Sequence, residues 1–594
     1  MNITENLIKV RSQMELFGVD AYIVPTEDPH CSEYPANHWK FREYLSGFNG
    51  SAGTLVITRD HVGLWTDSRY FLQAEKQLRG TDIELFRQEQ ENVPDYISYL
   101  TYVLPSGSVV GVDGQTLSKV NYDKMTAAFS KFRISINFKV NIIDELFAGR
   151  EPLPLDEVTE IPLSYAGLTR DEKLRLVQDE MTRLNVTHYM VSALDDVAWM
   201  LNMRGSDVDY NPVFYAYLMI SAEGLHLYID PHKLPKAVGC KLQEEGVKVS
   251  LYDHFEPNLS NMTPGSRIYY DPAVANIRNV SALPTCVATV EGPDIVRRMK
   301  SRKNNTEIEG MRVAHLYDGV AMVNFLHWLD TNIGRQSITE LSAAAQLLEF
   351  RKQQRGFVSE SFATISAYGP NASIVHYTPT LESNATLAPR GLYLLDSGGQ
   401  YLFGTTDITR TICLGEITDR ERTDYTLVLK GHIALASAVF PVGTRGVQLD
   451  ILARMPMWQH LRDYGHGTGH GVGCYLNVHE GPQCIRKEDN GVAIEAGMIT
   501  SNEPGFYSDN HYGIRTENLL LCQPDRDVPS FLRFETITLC PIDTRPLDVN
   551  LLTNSEIEWL NAYHRLVYTS LEGSLTDEVR QWLAKATAPI GRAD

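Results

Sequence analysis

No stretch of this sequence approaches the roughly 18 uninterrupted apolar residues of a membrane span. Basic charge is scarce: 54 Lys and Arg stand against 74 Asp and Glu, a formal net charge of −20. Nucleic acid and anionic membranes bind through clustered cations, so neither is expected as a partner. The eight cysteines (31, 240, 286, 413, 474, 484, 522, 540) are scattered and form no Cys-x-x-Cys pair. In so long a chain that spacing points to reduced, mostly buried thiols rather than a disulfide framework. The opening Met1-Asn2-Ile3-Thr4-Glu5 lacks the basic and then apolar order of a secretory leader. A cytoplasmic location is therefore expected, and sequons such as Asn185-Val186-Thr187 carry no weight.

What is present is ordinary for globular protein, with 43% apolar and 22% charged residues. At 594 residues the chain is too long for one core and calls for three or four domains. The first 300 residues read as an α/β unit used twice. An amphipathic run with Leu7, Val10 and Met14 follows Thr4 and leads to a strand over 19–24. Later, the capping box of Thr169 and Glu172 opens a run with Leu174, Val177, Met181 and Leu184, and a strand follows at 186–191. Strands at 53–58 and 62–66 close on Asp67; strands at 213–220 and 225–229 close on Asp230. The offsets, 167 residues from Tyr22 to Tyr189 and 163 from Asp67 to Asp230, are nearly constant. Proline-rich acidic sequence around Gly149 to Pro162 and a break near 285–304 set the expected domains at 1–155, 156–300 and 301–594. The basic run Arg297 to Lys303 reads as a solvated helix face. Thr306 and Glu309 read as a capping box opening a long helix with Met311, Ala314, Leu316, Met322, Phe325 and Leu329. A helical segment near 339–355 and terminal helices over 558–564 and 575–587 complete the outline.

The chemistry collects between Asp396 and Glu517. Asp396 ends the apolar run Leu392 to Leu395, and after Ser397-Gly398-Gly399 a second strand is expected to carry Asp407. His470 lies in His466-Gly467-Thr468-Gly469-His470-Gly471. Glu503 precedes the turn pair Pro504-Gly505, and Arg515 and Glu517, two apart, are expected on one strand face. Taken singly, an aspartate after a strand is ordinarily a cap and a histidine in a glycine-rich loop is ordinarily structural. Together, four carboxylates in one pocket repel unless a cation or protons intervene. Two divalent ions balance that charge, and with a bridging hydroxide the cluster is left near minus one. A lone catalytic zinc usually takes mainly imidazole or thiolate ligands. Oxygen donors plus one imidazole suit harder ions: manganese first, then cobalt, iron or zinc.

The order Asp, a second Asp eleven positions on, His, Glu, Glu resembles the pita-bread metallopeptidases. The likeness is closest to the three-domain, cytosolic form of aminopeptidase P. It extends through Gly50-Ser51-Ala52-Gly53-Thr54, Trp65 to Phe71, Arg204-Gly205-Ser206-Asp207, Asn211-Pro212-Val213-Phe214, Gly369-Pro370-Asn371-Ala372, Ile374-Val375-His376-Tyr377 and Leu429-Lys430-Gly431-His432. The resemblance implies two creatinase N-terminal-like α/β domains, which limit access and help form a homodimer, followed by a pita-bread catalytic domain. It also implies a dinuclear centre in which Asp407 and Glu517 bridge, Asp396 completes one site, and His470 with Glu503 completes the other. His376, His466 and His479 are implied around the scissile bond and proline pocket. Glu503 is expected to carry a proton, and Arg515 to orient ligand carboxylates beside the substrate. His432 and His460 are expected to be structural. The implied substrates are peptides with proline at the second position. Two alternatives stand: a prolidase restricted to Xaa-Pro dipeptides, and a metal-free binding module of the same fold.

Overall fold

The computed structural model describes residues 3–147 and 149–592. Met1 and Asn2, at the start of the segment read for a leader, lie outside the described residues. The chain divides into two compact units, Met1–Glu160 with Leu168–Val296, and Ile161–Gly167 with Arg297–Asp594.

The first unit contains two six-stranded sheets of identical topology. In each, the first strand after the opening helix (Ala21–Val24, then His188–Val191) lies centrally. It pairs antiparallel with the first strand of a hairpin on one side and parallel with a later strand on the other. The hairpins are Thr54–Thr58 with Val62–Thr66, and Ala216–Ser221 with Gly224–Ile229. Outer parallel strands finish both sheets. The near-constant offset in the sequence thus reflects the same sheet built twice.

Local signals act as elementary chemistry requires. Thr169 Oγ1 accepts from Glu172 N, and the Glu172 carboxylate accepts from Thr169 N, starting the helix Arg170–Arg183. Val177 and Met181 are buried on that helix as its period demands, and so is Lys173, which donates to Trp199 O and Asn202 Oδ1.

The second unit opens on the helix Asn305–Asn332. Its capping box is Asn304 with Glu307, two residues before the expected pair: Asn304 Oδ1 accepts from the amides of Thr306 and Glu307. A carboxamide caps as well as a hydroxyl, and the first Asx residue in the run takes the position. Behind this helix and Glu340–Lys352, a three-stranded sheet is ordered Ile365–Tyr368, Leu392–Ser397, Ile408–Cys413. A six-stranded sheet runs Val439–Pro441, Phe531–Thr536, Asn518–Pro524, Ile499–Asn502, Gly469–Gly471, Glu480–Ile485. The hairpin Gly505–Ser508 with Tyr512–Arg515 lies in sequence between Ile499–Asn502 and Asn518–Pro524, two paired strands of the six-stranded sheet. The helices Asp419–Ala436 and Gly446–Trp458 pack closely at Gly431, where a Cβ would stand 2.2 Å from Ala453 O. Asn554–Leu571 and Asp577–Ala586 end the fold, the first much longer than the sequence pattern indicated.

The basic run divides in the structure. Arg298 and Arg302 face outward and pair with Glu495, as a solvated face would. Lys300 and Lys303 are buried against Glu480 instead.

Candidate metal centre

Register decides which side chains meet. In the antiparallel pair of Leu392–Ser397 with Ile408–Cys413, Asp396 stands opposite Thr409. Alternation then places Thr409 and Thr411 on the face shared with Asp396, and Arg410 and Ile412 behind it. Asp407 sits in the break just before Ile408 rather than within a strand, because the chain changes sheets between Thr405 and Ile408. Arg515 and Glu517 likewise do not share a strand: Arg515 ends Tyr512–Arg515, and Glu517 lies in the two-residue break before Asn518. They still converge on one hydroxyl. Thr409 Oγ1 donates to Glu517 Oε2 at 2.8 Å and accepts from Arg515 Nε at 3.1 Å.

The donor atoms crowd as the charge argument requires. Asp407, His470 and Glu517 each offer one ligand atom, all within 4.8 Å of one another. His470 Nε2 lies 3.5 Å from Asp407 Oδ2 and 3.3 Å from Glu503 Oε1. The other ring nitrogen, Nδ1, bonds to Gly471 O at 2.9 Å and so fixes which edge faces the carboxylates. Ser501 ties the pair together, accepting from His470 N and donating to Glu503 Oε1. Asp396 Oδ2 accepts from Arg515 Nη2 at 2.5 Å.

Asp396 Oδ1 and Glu517 Oε1 are buried and have no hydrogen-bond partner. Unpaired carboxylate oxygens are costly to bury unless a cation takes them. The donor set of carboxylates and one imidazole, with no thiolate, fits hard divalent ions. Without cations, burial first, and then mutual repulsion against the Arg515 charge, lifts Asp396 to about 7. Burial also raises Glu503 and lifts Glu517 well above the carboxylate range, with Asp407 adding to both. Burial opposes the charge on His470, but Asp407 and Glu503 outweigh it and raise the imidazole to about 9.

A sign follows for metal uptake. His470, raised to about 9, holds its proton near pH 7, Asp396, at about 7, holds part of one, and ligation requires their loss. Loading the apoprotein with divalent ions at pH 7 should release at least about one proton per chain, and apparent affinity should fall as pH falls. Calorimetric titration in buffers of different ionisation enthalpy measures the proton count; metal uptake with none released would contradict the placement.

The outlying histidines differ in setting. His479 packs edge-on against His470, ring centroids 4.3 Å apart. His466 bonds through Nε2 to Tyr507 OH at 2.8 Å, and Tyr507 OH accepts from Arg515 Nη1 at 2.6 Å. His466 thus connects to Asp396 through Tyr507 and Arg515. His376 stands half-buried in the turn after Gly369–Ser373. Buried His432 bonds to Asn502 O and Asn518, and burial followed by the Arg410 charge lowers it to about 3. Thr409, Ser501 and Tyr507 escaped the sequence reading. Thr409 alone had a signal there, two residues past Asp407 in the strand that was expected to carry both.

The Creatinase/Prolidase N-terminal domain matches residues 7–138, and a second model of that description matches 149–307. Metallopeptidase family M24 matches 309–524, and the C-terminal region of peptidase M24 matches 530–590. Aminopeptidase P2 of Arabidopsis thaliana is 39% identical, covering 97% of this chain and 86% of its own. A probable Xaa-Pro aminopeptidase P of Laccaria bicolor is 39% identical, covering 99% of this chain and 94% of its own. The chain belongs to the aminopeptidase P family of metallopeptidases.

The crystal structure of X-prolyl aminopeptidase from Caenorhabditis elegans superposes with a TM-score of 0.95 at 35% identity, covering 99% of this chain and 100% of that one. That protein is described as a cytosolic enzyme with a di-nuclear active site. Two creatinase-type N-terminal domains followed by a pita-bread catalytic domain is accordingly the architecture of this aminopeptidase P family member. A prolidase from Thermococcus sibiricus, at 19% identity and TM-score 0.51, covers 64% of the chain and shares the fold alone.

Proposed function

We propose that this chain is a metal-dependent Xaa-Pro aminopeptidase, hydrolysing the bond between an N-terminal residue and a following proline. The observation that carries it is the crowding of Asp407, His470 and Glu517 beside Glu503 and Asp396, in a chain similar over its full length to X-prolyl aminopeptidases. Asp396, Asp407, His470, Glu503 and Glu517 would hold two ions, with Asp407 and Glu517 shared between them. Manganese is the first expectation from the oxygen-rich donor set. Such ions, when bound, polarise a carbonyl and supply hydroxide at neutral pH.

The remaining work belongs to the chain itself. Glu503, whose Oε1 accepts from Ser501 Oγ, would carry a proton toward the leaving nitrogen. His479 and His376 donate toward the carbonyl oxygen as negative charge develops on it. His466 holds Tyr507, and through it Arg515 and Asp396. An Xaa-Pro bond is a tertiary amide without an N–H, so a pocket shaped to the pyrrolidine ring selects it. The domains we assign are 1–155, 156–300 and 301–594.

The assay that tests this pairs Xaa-Pro dipeptides with Xaa-Pro-Pro peptides after metal loading. Cleavage of the longer peptides is expected; cleavage of dipeptides alone would establish a prolidase instead. His479→Ala should lower kcat about 10²–10³-fold while leaving metal content at the wild-type level, since a single oxyanion donor contributes on that scale. Loss of metal in that variant would move His479 among the ligands.

We also propose a cytoplasmic homodimer. The location is that described for the Caenorhabditis elegans relative, and among the described residues no helix is long and apolar enough to cross a membrane. For the dimer, Ile451, Met455 and Trp458 recur on one side of the helix Gly446–Trp458, each at least 40% exposed, and Leu461 beyond it is 92% exposed. Such a row of large apolar side chains suits a second copy of the same surface. Sedimentation should give twice the 66.9 kDa chain mass, and Met455→Glu with Leu461→Glu should give the monomer.

A further inference from the structure

The buried lysines of the basic run take no part in the proposed reaction, although they hold the residue that follows His479. Lys303 and Glu480 are each 0% exposed at the side chain, and Lys300 is 1% exposed. Lys303 Nζ donates to Glu480 Oε1 at 2.5 Å, and Lys300 Nζ stands 3.4 Å from Glu480 Oε2. Lys303 is anchored in turn: its Nζ donates to Lys300 O, and its backbone N–H donates to Gly497 O.

Glu480 is also placed by the sheet. It begins the strand Glu480–Ile485 and pairs with Gly471, the neighbour of His470, while His470 pairs with Cys484. The register slips between those two pairs, so residues 481–483 bulge and the strand start is not held by an even ladder. Its carboxylate, held by the two lysines, is a second anchor at that irregular point. Gly473 permits the approach, since a Cβ there would lie 3.0 Å from Glu480 Oε2. The next residue back in the chain is His479, edge-on to His470.

We propose that Lys300 and Lys303 act as positioning residues for the reaction: by clamping Glu480 they fix where the His479 ring stands relative to His470. The inference rests on His479 acting on the substrate, as assigned above. Burying two ammonium groups and one carboxylate is expensive, and an apolar trio of similar volume would commonly serve stability as well or better. Retaining charges there is explained by the orientation they impose on the adjoining residue. A side-chain displacement of about 1 Å near reacting atoms can cost on the order of 10²-fold in rate.

The test is a double-mutant cycle on the metal-loaded, full-length protein with an Xaa-Pro-Pro peptide. Lys303→Met keeps the length of the stem and removes one cation. Its kcat should fall about tenfold or more with KM within about twofold, two ions still bound, and the pH–rate profile displaced. In the His479→Ala background the same substitution should lower kcat less than about twofold, because the group it positions is gone. An equal fall in both backgrounds, an unchanged kcat in folded Lys303→Met, or a loss of metal parallel to the loss of rate would each overturn the proposal. Lys300→Met, which removes the more distant partner, runs the same cycle if the first variant does not fold. Failure of wild-type protein to cleave the peptide at all would instead overturn the peptidase assignment.

Discussion

Glu517→Ala should lower kcat/KM by at least about 10³-fold and reduce bound metal from two ions per chain to one or fewer. The magnitude follows from what one shared carboxylate supplies. Metal-derived stabilisation of a transition state amounts to several kcal/mol, and every 1.36 kcal/mol is tenfold in rate. The geometry makes the substitution unusually clean for so buried a residue. The Glu517 amide donates to Thr409 O and its carbonyl accepts from Arg410 Nη1, so the backbone is held independently of the side chain. Only the carboxylate is lost, together with its bond from Thr409 Oγ1. Glu517→Gln provides the companion measurement, since it keeps the volume and an oxygen for Thr409 while removing the charge. Both variants should be folded and inactive, with stoichiometry read by metal analysis after dialysis. Full turnover with two ions bound in either one would show the ligand assignment to be wrong.

Much of this was legible in sequence because charge and periodicity act locally. No one of Asp396, Asp407, Glu503 and Glu517 stood out, since a carboxylate at a strand end is ordinarily a cap; their recurrence in one stretch, and the repulsion four such charges would meet in one pocket, pointed to them. The duplicated N-terminal sheets were legible as a constant offset because topology constrains spacing even where identity has faded. The strand assignment of Asp407 and Glu517 failed for a specific reason. Both lie in two-residue breaks where the chain passes from one short pairing to the next, and alternation cannot register a break so short. Glu480, Lys300 and Lys303 were hidden by composition: in a chain of net charge −20, a basic run has every local reason to be solvent-exposed. Only tertiary packing separates its outward arginines from its buried lysines.

Arg410 was hidden in the same manner, and its substitution carries the largest expected effect on stability. In Ile408-Thr409-Arg410-Thr411-Ile412 it is the one charged residue, it shares a face with Ile408 and Ile412, and every residue of Ile408–Cys413 is buried. Its guanidinium donates from Nε to Pro541 O at 3.0 Å, and from Nη1 to Thr409 O at 2.9 Å and Glu517 O at 2.6 Å. From Nη2 it donates to Asn518 Oδ1 and Cys540 O, both at 2.8 Å, and to Tyr563 OH at 3.0 Å. Oxygen dipoles from four segments of the chain thus solvate one cation, and three of the bonds reach Thr409, Glu517 and Asn518 directly behind the carboxylate cluster. Arg410→Met would leave those buried acceptors unpaired, a loss of about 3–5 kcal/mol by analogy with breaking other buried charge networks. The thermal midpoint of the unit that holds it should fall by roughly 5–8 °C. Arg410→Lys should recover only part of it, because an ammonium has three donors and no fork to span the separated carbonyls. Activity should fall with stability in both variants, since the Glu517 carbonyl that Arg410 holds sets where the carboxylate points. A midpoint within about 2 °C of wild type for Arg410→Met would mean that water or a rearranged backbone satisfies these acceptors, and that the cluster does not depend on the cation behind it.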